Sequence, residues 1–246
     1  PLLEQAAEYP NLPKVGYVYM LQSQGLLHDS YYYGVDVKGM LPTLMYPTEV
    51  MDGAIISGNC VSACDKNTSF VHQNSPVIYD LYRHHGSKYN FMGVIVTNEN
   101  VTLRDKDRSS NFVVKLAKQM GWDAAIVSEE GFGNPDADLM MNCAKLEAAG
   151  IQTVLLTDEY AGQNGESQSL ADSHKSADAV ITNGNANQLV TLPAMDKVIG
   201  HDRYADMVAG GFHGSLHEDG SITVEIQAIL SATSELGYHH LTTKAS

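Results

Sequence analysis

Residues 91–99 read FMGVIVTNE, a short apolar run that ends in polar and acidic side chains. The same pattern recurs at three later places in the chain, as AAIVSEE at 124–130, TVLLTDE at 153–159 and AVITNGN at 179–185. Apolar runs of this length indicate strands that are buried on both faces, as in parallel sheets covered by helices. The pattern therefore predicts an α/β fold with a mostly parallel, Rossmann-like sheet and flanking helices.

The segments between these runs carry signals for helix starts and stops. We predict a first helix that begins at Ser109 or Ser110 and ends at Gly121. A second helix is predicted over 135–149, where a proline opens it and Gly150 ends it. Helices between successive strands are what a parallel sheet requires for its crossover connections.

The two ends of the chain read differently from its centre. Residues 15–20 and 53–57 are apolar runs that read as strands, and a domain boundary is expected near 60–75. Residues 221–226 alternate between apolar and polar side chains and follow the turn at 218–220. This alternation predicts an antiparallel hairpin near the C-terminus.

The composition excludes several classes of function. Among 246 residues, 29 are acidic and 15 are Lys or Arg, which gives a formal net charge of −14. Such a chain lacks the clustered positive charge that nucleic acids and anionic membrane surfaces require. It contains no apolar stretch of membrane-spanning length, no signal-peptide pattern, and only three cysteines. We therefore expect a cytoplasmic protein with free thiols, no membrane span and no nucleic-acid partner.

The polar ends of the predicted strands are candidates for a substrate site, because sites in open α/β sheets form at the carboxyl ends of the strands. For any one of these residues, a solvated loop is the alternative interpretation. The candidate rim comprises Asn98, Glu99, Glu130, Asn134, Asp158, Glu159 and Asn183. Asn134 belongs to the turn 131–135, which opens the second predicted helix with two glycines but lacks the third glycine of a dinucleotide site and the lysine of a P-loop. A substrate carboxylate at this helix N-terminus is the more reasonable ligand.

The peptide Gly58-Asn59-Cys60 could support self-cleavage. A thiol can attack the carbonyl carbon of the preceding residue and convert the amide into a thioester, and Gly58 supplies the backbone freedom that a sharp turn needs. Elimination of the thioester would remove the sulfur of Cys60 and leave an N-terminal pyruvoyl group, an electron sink for amine substrates. From spacing alone, a buried and inert cysteine is the more common interpretation of such a residue.

Four residues near Cys60 could support its chemistry. Cys64 follows at a Cys-x3-Cys spacing, which is not that of a zinc or redox motif, and no metal site is expected. Asp65 and Lys66 make the next segment very polar, and Lys66 could lower the pKa of a nearby thiol. His72 could move protons, although a structural, hydrogen-bonded histidine is equally consistent with the sequence.

Six longer segments make the sequence more specific than these parts. Over about residues 50–240 the chain resembles the precursors of the pyruvoyl subunit in component B of glycine, sarcosine and betaine reductases. The segments that carry the resemblance are SGNCVSACDKNTSFVHQNSPVI from 57, VTNENVTLRDKDRSSN from 96, SEEGFGNPDADLMMNC from 128, TDEYAGQNGESQSLAD from 157, ITNGNANQLVTLPAMDKVIG from 181 and AGGFHGSLHEDGSITVEIQ from 209.

The resemblance implies cleavage between Asn59 and Cys60, with Cys60 converted into the pyruvoyl cofactor and Cys64 as the competing position. It divides the chain into a segment 1–59 that precedes the cleavage site and a pyruvoyl-subunit α/β domain 60–246. It also implies an oxidoreductase of amino-acid fermentation in anaerobes, which reductively deaminates glycine or its N-methylated forms. The carbonyl would condense with the substrate amine, and a selenocysteine on a partner subunit would displace that amine.

The implied partners are the selenoprotein subunit of component B and a small selenoprotein carrier, in an oligomeric assembly. Two other interpretations remain open at this point. The chain could be an unprocessed, non-catalytic scaffold subunit or homologue that binds a selenoprotein partner. It could also be a thiol enzyme that uses Cys60 or Cys64 directly.

Overall fold

A six-stranded sheet forms the centre of the protein. The computed structural model describes residues 8–23, 30–57, 66–167, 170–182, 184–197 and 202–230. The strands are β1 Lys14–Gln22, β2 Ser30–Tyr32, β3 Val35–Asp36, β4 Thr43–Met45, β5 Ile55–Ser57, β6 Asn90–Glu99, β7 Ala124–Ser128, β8 Gln152–Leu156, β9 Val180–Ile181, β10 Leu189–Leu192 and β11 Ile222–Glu225. The central sheet has the order β4-β6-β1-β7-β8-β9.

The strands β6, β1, β7, β8 and β9 run parallel to one another, and β4 is an antiparallel edge strand. The α/β fold with a mostly parallel sheet is therefore confirmed. The strand β1 lies between β6 and β7, so residues before position 60 supply a strand to the same sheet as residues after it. Both apolar runs predicted as strands in this early region, 15–20 and 53–57, are strands, as β1 and β5.

Helices cover both faces of this sheet. The helices in the described ranges are α1 Pro47–Met51, α2 Ser69–Gln73, α3 Pro76–His84, α4 Leu103–Gln119, α5 Asn134–Ala148 and α6 Gln227–Leu230, with 3-10 turns at Val37–Gly39 and Asp202–Asp206. The helix expected to begin at Ser109 or Ser110 begins at Leu103, six or seven residues earlier, so that boundary was wrong. Thr102 caps it, because its side chain accepts the N–H of Asp105 at 3.2 Å. The helix predicted over 135–149 is confirmed as α5.

The alternation of side chains along β1 builds two cores, one on each face of the sheet. Val18 and Met20 pack with residues of α4 and α5, whereas Tyr17, Tyr19 and Leu21 pack with residues of α3. All five side chains are fully buried. Two tyrosines in a strand that is buried on both faces need partners for their hydroxyl groups, and this need positions the site described below.

The amino end of the sheet is closed by an unusually tight contact. A Cβ added at Gly16 on β1 would lie 2.2 Å from ring atoms of the buried Trp122. Only glycine therefore fits beneath this indole ring.

Two smaller sheets flank the centre. Three strands before position 58 form an antiparallel sheet in the order β3-β2-β5, and β10 pairs antiparallel with β11 near the C-terminus. The predicted C-terminal antiparallel pairing is confirmed. Its longer ladder joins β11 to β10, and the turn at 218–220 closes only a single bridge between Leu216 and Ile222. Within the described part of the chain, no helix is both long and apolar enough to cross a membrane.

Candidate functional site at the carboxyl edge of the sheet

The carboxyl ends of the parallel strands bring several acidic side chains together. Glu99 ends β6, Glu129 and Glu130 follow β7, and Asp158 follows β8. Each of these four side chains is no more than 2% exposed. Of the predicted strand-end carboxylates, Glu99, Glu130 and Asp158 thus lie at one edge of the sheet but inside the protein, whereas Glu159 is half-buried.

Glu99 and Glu130 are in direct contact. The backbone N–H of Glu130 donates to Oε1 of Glu99 at 2.6 Å. Burial raises the pKa of Glu99 well above its usual value, and the charge of Glu130 raises it further. Burial and the neighbouring charge thus both favour the protonated form of Glu99.

Two backbone donors hold the carboxylate of Glu130. Its Oε2 accepts the N–H of Gln22 at the end of β1 (2.7 Å), and its Oε1 accepts the N–H of Asn67 (3.0 Å). Burial raises the pKa of Glu130 to about 7, while these hydrogen bonds and the charge of Lys66 limit the rise. A group with this pKa exchanges a proton readily at neutral pH.

His72 lies beside Glu130 and is fully buried. It belongs to the short helix α2, which Thr68 caps. Its Nδ1 lies 2.7 Å from the hydroxyl of Tyr19, and its Nε2 lies 2.9 Å from the hydroxyl of Ser57. Burial, followed by the charge of Lys66, lowers the pKa of His72 to about 3. The 3.6 Å contact between its Nε2 and Oε1 of Glu130 is therefore made by a neutral imidazole and is not an ion pair at neutral pH.

The side chain of Lys66 is linked to Ser57 through the hydroxyl of Ser30. Its Nζ donates to the hydroxyl of Ser30 at 3.2 Å, and that hydroxyl lies 3.0 Å from the hydroxyl of Ser57. We call Tyr19, Ser57, Lys66, His72 and Glu130 the polar network. Of the predicted support residues it contains Lys66 and His72, whereas Asn59, Cys60, Cys64 and Asp65 lie outside the described residues.

Two predicted rim residues make contacts outside the polar network. The backbone carbonyl of Asn134 accepts a hydrogen bond from Nζ of Lys106 at 3.0 Å, and Lys106 also forms an ion pair with Asp138. Oε2 of Glu159 accepts the hydroxyl of Thr182 at 2.9 Å. Asn98 and Asp158 are buried at the same edge, and Asn183 lies outside the described residues.

The helix N-terminus that was expected to bind a substrate carboxylate carries a carboxylate of its own. The N–H of Gly133 donates to Oδ1 of Asp136 at 2.9 Å, and Oδ2 of the same side chain accepts the N–H of Ala171 at 2.7 Å. This donor is thus already occupied, because an aspartate at the third helical position folds back to cap the helix.

Tyr19 and Ser57 were not among the site residues predicted from the sequence. The signal that could have found Tyr19 is a pair of tyrosines two residues apart in an otherwise apolar, doubly buried strand, since buried phenols need polar partners. Tyr17 meets that need at the hydroxyl of Ser128, at 2.7 Å. Ser57 carried no such signal, because its partner His72 comes from a separate helix.

The described residues include no group of three or more His, Cys, Asp or Glu side chains that could hold a metal ion. Cys143, the cysteine within the described ranges, is a buried free thiol whose Sγ lies 3.3 Å from the hydroxyl of Thr153. Burial raises the pKa of this thiol, so it is a poor nucleophile at neutral pH. At the carboxyl edge, the pKa of Glu130 near 7 suits a group that takes up and releases protons.

Comparison with known proteins places the chain in a family. Residues 1–244 match the family described as glycine/sarcosine/betaine reductase component B subunits. The chain belongs to this family. The resemblance inferred from its segments is thus confirmed.

Three curated relatives show how the similarity is distributed. The "Glycine reductase complex component B subunits alpha and beta" of Acetoanaerobium sticklandii is 65% identical over 246 residues, which is 99% of this chain and 57% of the relative. The "Sarcosine reductase complex component B subunit alpha" of Peptoclostridium acidaminophilum is 57% identical, with 99% and 57% covered. The "Betaine reductase complex component B subunit alpha" of the same organism is 41% identical, with 99% and 58% covered. The chain thus spans somewhat more than half of each relative, and no solved structure matches it.

Proposed function

We propose that this chain is part of a component B precursor that cuts itself between Asn59 and Cys60 and converts Cys60 into a pyruvoyl group. The cut separates residues 1–59 from residues 60–246. The product serves in the reductive deamination of glycine or of an N-methylated glycine. Among the three relatives named above, identity decreases from glycine to sarcosine to betaine, which supports glycine as the substrate.

One observation carries the proposal: both ends of the segment 58–65 are anchored in the polar network. Ser57 precedes this segment and contacts His72, and Lys66 follows it and contacts Ser30. Three residues of chain span at most about 10 Å, so Cys60 is tethered within that distance of Ser57. The neutral imidazole of His72 contacts Ser57 before this segment, and the carboxyl group of Glu130 accepts the N–H of Asn67 shortly after it.

The proposed cleavage consists of an acyl shift, an elimination and a hydrolysis. The thiol sulfur of Cys60 attacks the carbonyl carbon of Asn59, and the C–N bond breaks to give a thioester and a free amine on residue 60. Removal of the Cα proton of residue 60 expels the sulfur with the Asn59 acyl group and leaves dehydroalanine. Proton return to the β-carbon gives an imine, which water hydrolyses to a ketone and ammonia. Two of these steps need a group that accepts and then returns a proton.

The pyruvoyl carbonyl would supply an electron sink for the substrate amine. The chain's own residues would exclude water and exchange protons at the buried edge of the sheet. A selenocysteine on the selenoprotein subunit of component B and a small selenoprotein carrier complete the proposed reaction. One relative is named "subunits alpha and beta" of a complex, which supports a single precursor that yields two pieces. We place the product in a cytoplasmic oligomeric complex.

Intact mass of the protein purified without oxygen tests the cleavage. We expect one fragment that ends at Asn59 and one that begins at residue 60, and the second should react with a hydrazine probe through its new carbonyl. Cys60→Ala should leave the peptide bond intact, because alanine has no nucleophile.

Cys64→Ala is the matched control, because it removes the competing cysteine four residues away. It should be cut at Asn59 as completely as the wild-type protein. A wild-type chain that stays continuous would support the scaffold interpretation instead, and a cut before Cys64 would move the site. Cys60→Ser separates direct thiol catalysis from processing, because serine can still form an ester and eliminate.

A further inference from the structure

The polar network contains a carboxyl group that the cleavage chemistry does not yet use. Glu130 is fully buried, both of its oxygens accept backbone N–H groups, and Oε1 lies 3.6 Å from Nε2 of His72. Fixed donors on both oxygens hold the carboxylate in one orientation. A buried carboxylate held in this way is costly unless the site uses it.

Tyr19 and His72 hold the chain just before the cleavage segment. Nδ1 of His72 is engaged by the hydroxyl of Tyr19, which also accepts a hydrogen bond from the side-chain amide of Asn67 at 3.3 Å. Nε2 of His72 is then directed at the hydroxyl of Ser57. The backbone of Ser57 is fixed as well, because its N–H donates to Oγ of Ser69 and its carbonyl accepts the same hydroxyl. With the contact to the hydroxyl of Ser30, Ser57 is therefore held by four hydrogen bonds at the point where the chain leaves β5.

We infer that Glu130 accepts and returns the proton in the processing at residue 60, and that Tyr19 and His72 are positioning residues that hold Ser57 for it. This inference rests on the proposed function. The carboxylate of Glu130 takes the Cα proton of residue 60 while the C–S bond breaks, and its acid form then gives a proton to the β-carbon. Glu130 ends unchanged, and water is the only other reactant.

The surroundings of Glu130 favour this role over His72. The titratable and charged groups around it are Lys66 before α2, His72 on α2 and Glu99 on β6, and the charges of Glu129 and Asp138 raise the pKa of Glu99 further. Burial and Lys66 keep His72 neutral at physiological pH, whereas Glu130 changes charge near pH 7. Glu130 is thus the member of the pair that can gain and lose a proton there.

The first test uses a Cys60→Ser background in the full-length protein, where no thiol titration can obscure the result. In Glu130→Gln, the ester formed by the acyl shift should accumulate, and hydroxylamine should cut it between residues 59 and 60. The carbonyl-bearing fragment should form at least about a hundredfold more slowly, the scale of a lost general base. A merely structural role would slow ester formation as well, and a chain that resists hydroxylamine would therefore overturn the inference.

The pH profile of carbonyl formation is the second readout. With Glu130 present, the rate should rise as the pH passes through about 7, because the carboxyl must ionise before it can accept a proton. Glu130→Gln should lose this inflection. Tyr19→Phe and His72→Asn should lower the rate at every pH and keep the inflection. An inflection that disappears with His72 and survives in Glu130→Gln would refute the assignment.

Glu147→Gln is the matched control at the opposite edge of the sheet. Glu147 also accepts a backbone N–H, that of Thr153, but lies away from the polar network. This variant should process at the wild-type rate. If the wild-type protein is never cut before residue 60, the proposed function fails. If the wild-type protein is cut and Glu130→Gln forms the carbonyl equally fast, only the present inference fails.

Discussion

The two edges of the central sheet are built from the same strands but from different chemistry. At the amino edge, Trp122 packs over Gly16, and polar groups such as Lys14 N–H and Asp123 are paired near the surface. At the carboxyl edge, the fully buried carboxyl group of Glu99 accepts the backbone N–H of Glu130, and the carboxyl group of Glu130 lies 3.6 Å from a neutral histidine. The first arrangement stabilises the fold, whereas the second costs free energy of folding. An edge that retains such groups is where function is expected in an α/β sheet.

The largest expected effect comes from breaking the ion pair that supports the carboxyl edge. Lys106 and Asp138 are both nearly fully buried, and Asp138 also accepts the N–H of Asn100. Asp138→Asn leaves a buried ammonium without its partner, and we expect a loss of about 3–5 kcal/mol in the free energy of unfolding. Urea denaturation at pH 7.5 measures it. Asp107→Asn is the control, because its pair with Lys145 is solvent-exposed, and it should leave the midpoint unchanged.

The second-largest expected effect is a pH dependence of stability that comes from the buried groups at the carboxyl edge of the sheet. Because the folded state raises the pKa of Glu130 from 4.5 to about 7, its contribution to stability is complete below pH 4.5 and is lost as the pH rises through 7. That loss is about 3 kcal/mol. His72 acts in the opposite sense, since its lowered pKa removes stability as the pH falls from 6.5 towards 3.

Denaturation of Glu130→Gln and its parent isolates the first of these two contributions. Both proteins should carry Cys60→Ala, so that the chain stays continuous. Between pH 4.5 and 7.5 the free-energy difference should shift by about 3 kcal/mol in favour of the variant, while the contribution of His72 cancels. A difference that does not change with pH would show that Glu130 titrates normally in the folded protein.

A smaller effect is expected at the amino edge. Gly16→Ala forces a methyl group against the indole ring of Trp122, and overpacking of this kind costs about 1–3 kcal/mol. Trp122 is the single tryptophan of the chain, so its fluorescence reports the unfolding directly. Gly39→Ala should be neutral by the same measurement, because an added Cβ there meets no atom within 4 Å. Cleavage before residue 60 should proceed normally in the folded fraction of Gly16→Ala.

Much of the sheet could be predicted because each strand has a recognisable local sequence pattern. Runs such as FMGVIV and AAIV are apolar, end in polar residues and alternate with helices, so strand type and parallel direction follow. The start of α4 was misplaced because the cap at Thr102 precedes a polar first turn with no apolar periodicity. The position of β1 between β6 and β7 could not be predicted, since it depends on pairing with residues more than 70 positions away.

The candidate site was predictable only in outline. Strand ends pointed to Glu99 and Glu130, and proximity in sequence pointed to His72 and Lys66. The contact of Tyr19 with His72 joins residues 53 positions apart, and that of Gln22 with Glu130 joins residues 108 apart. Contacts of this kind arise from the packing of the sheet against α2, which no local pattern records. Cleavage at Cys60 stays a prediction, because the residue lies outside the described part of the chain.

The position of β1 has a consequence for the molecule that a cut before Cys60 would create. The first piece would keep β1, and the second would keep the strands hydrogen-bonded to it on both sides. The pieces could separate only by taking the sheet apart, so dissociation would be as slow as global unfolding. Refolding of the cut protein would be a bimolecular reaction, because the two pieces would have to associate. The thermal midpoint of the cut protein should therefore rise with protein concentration, whereas that of an uncut monomeric chain should not.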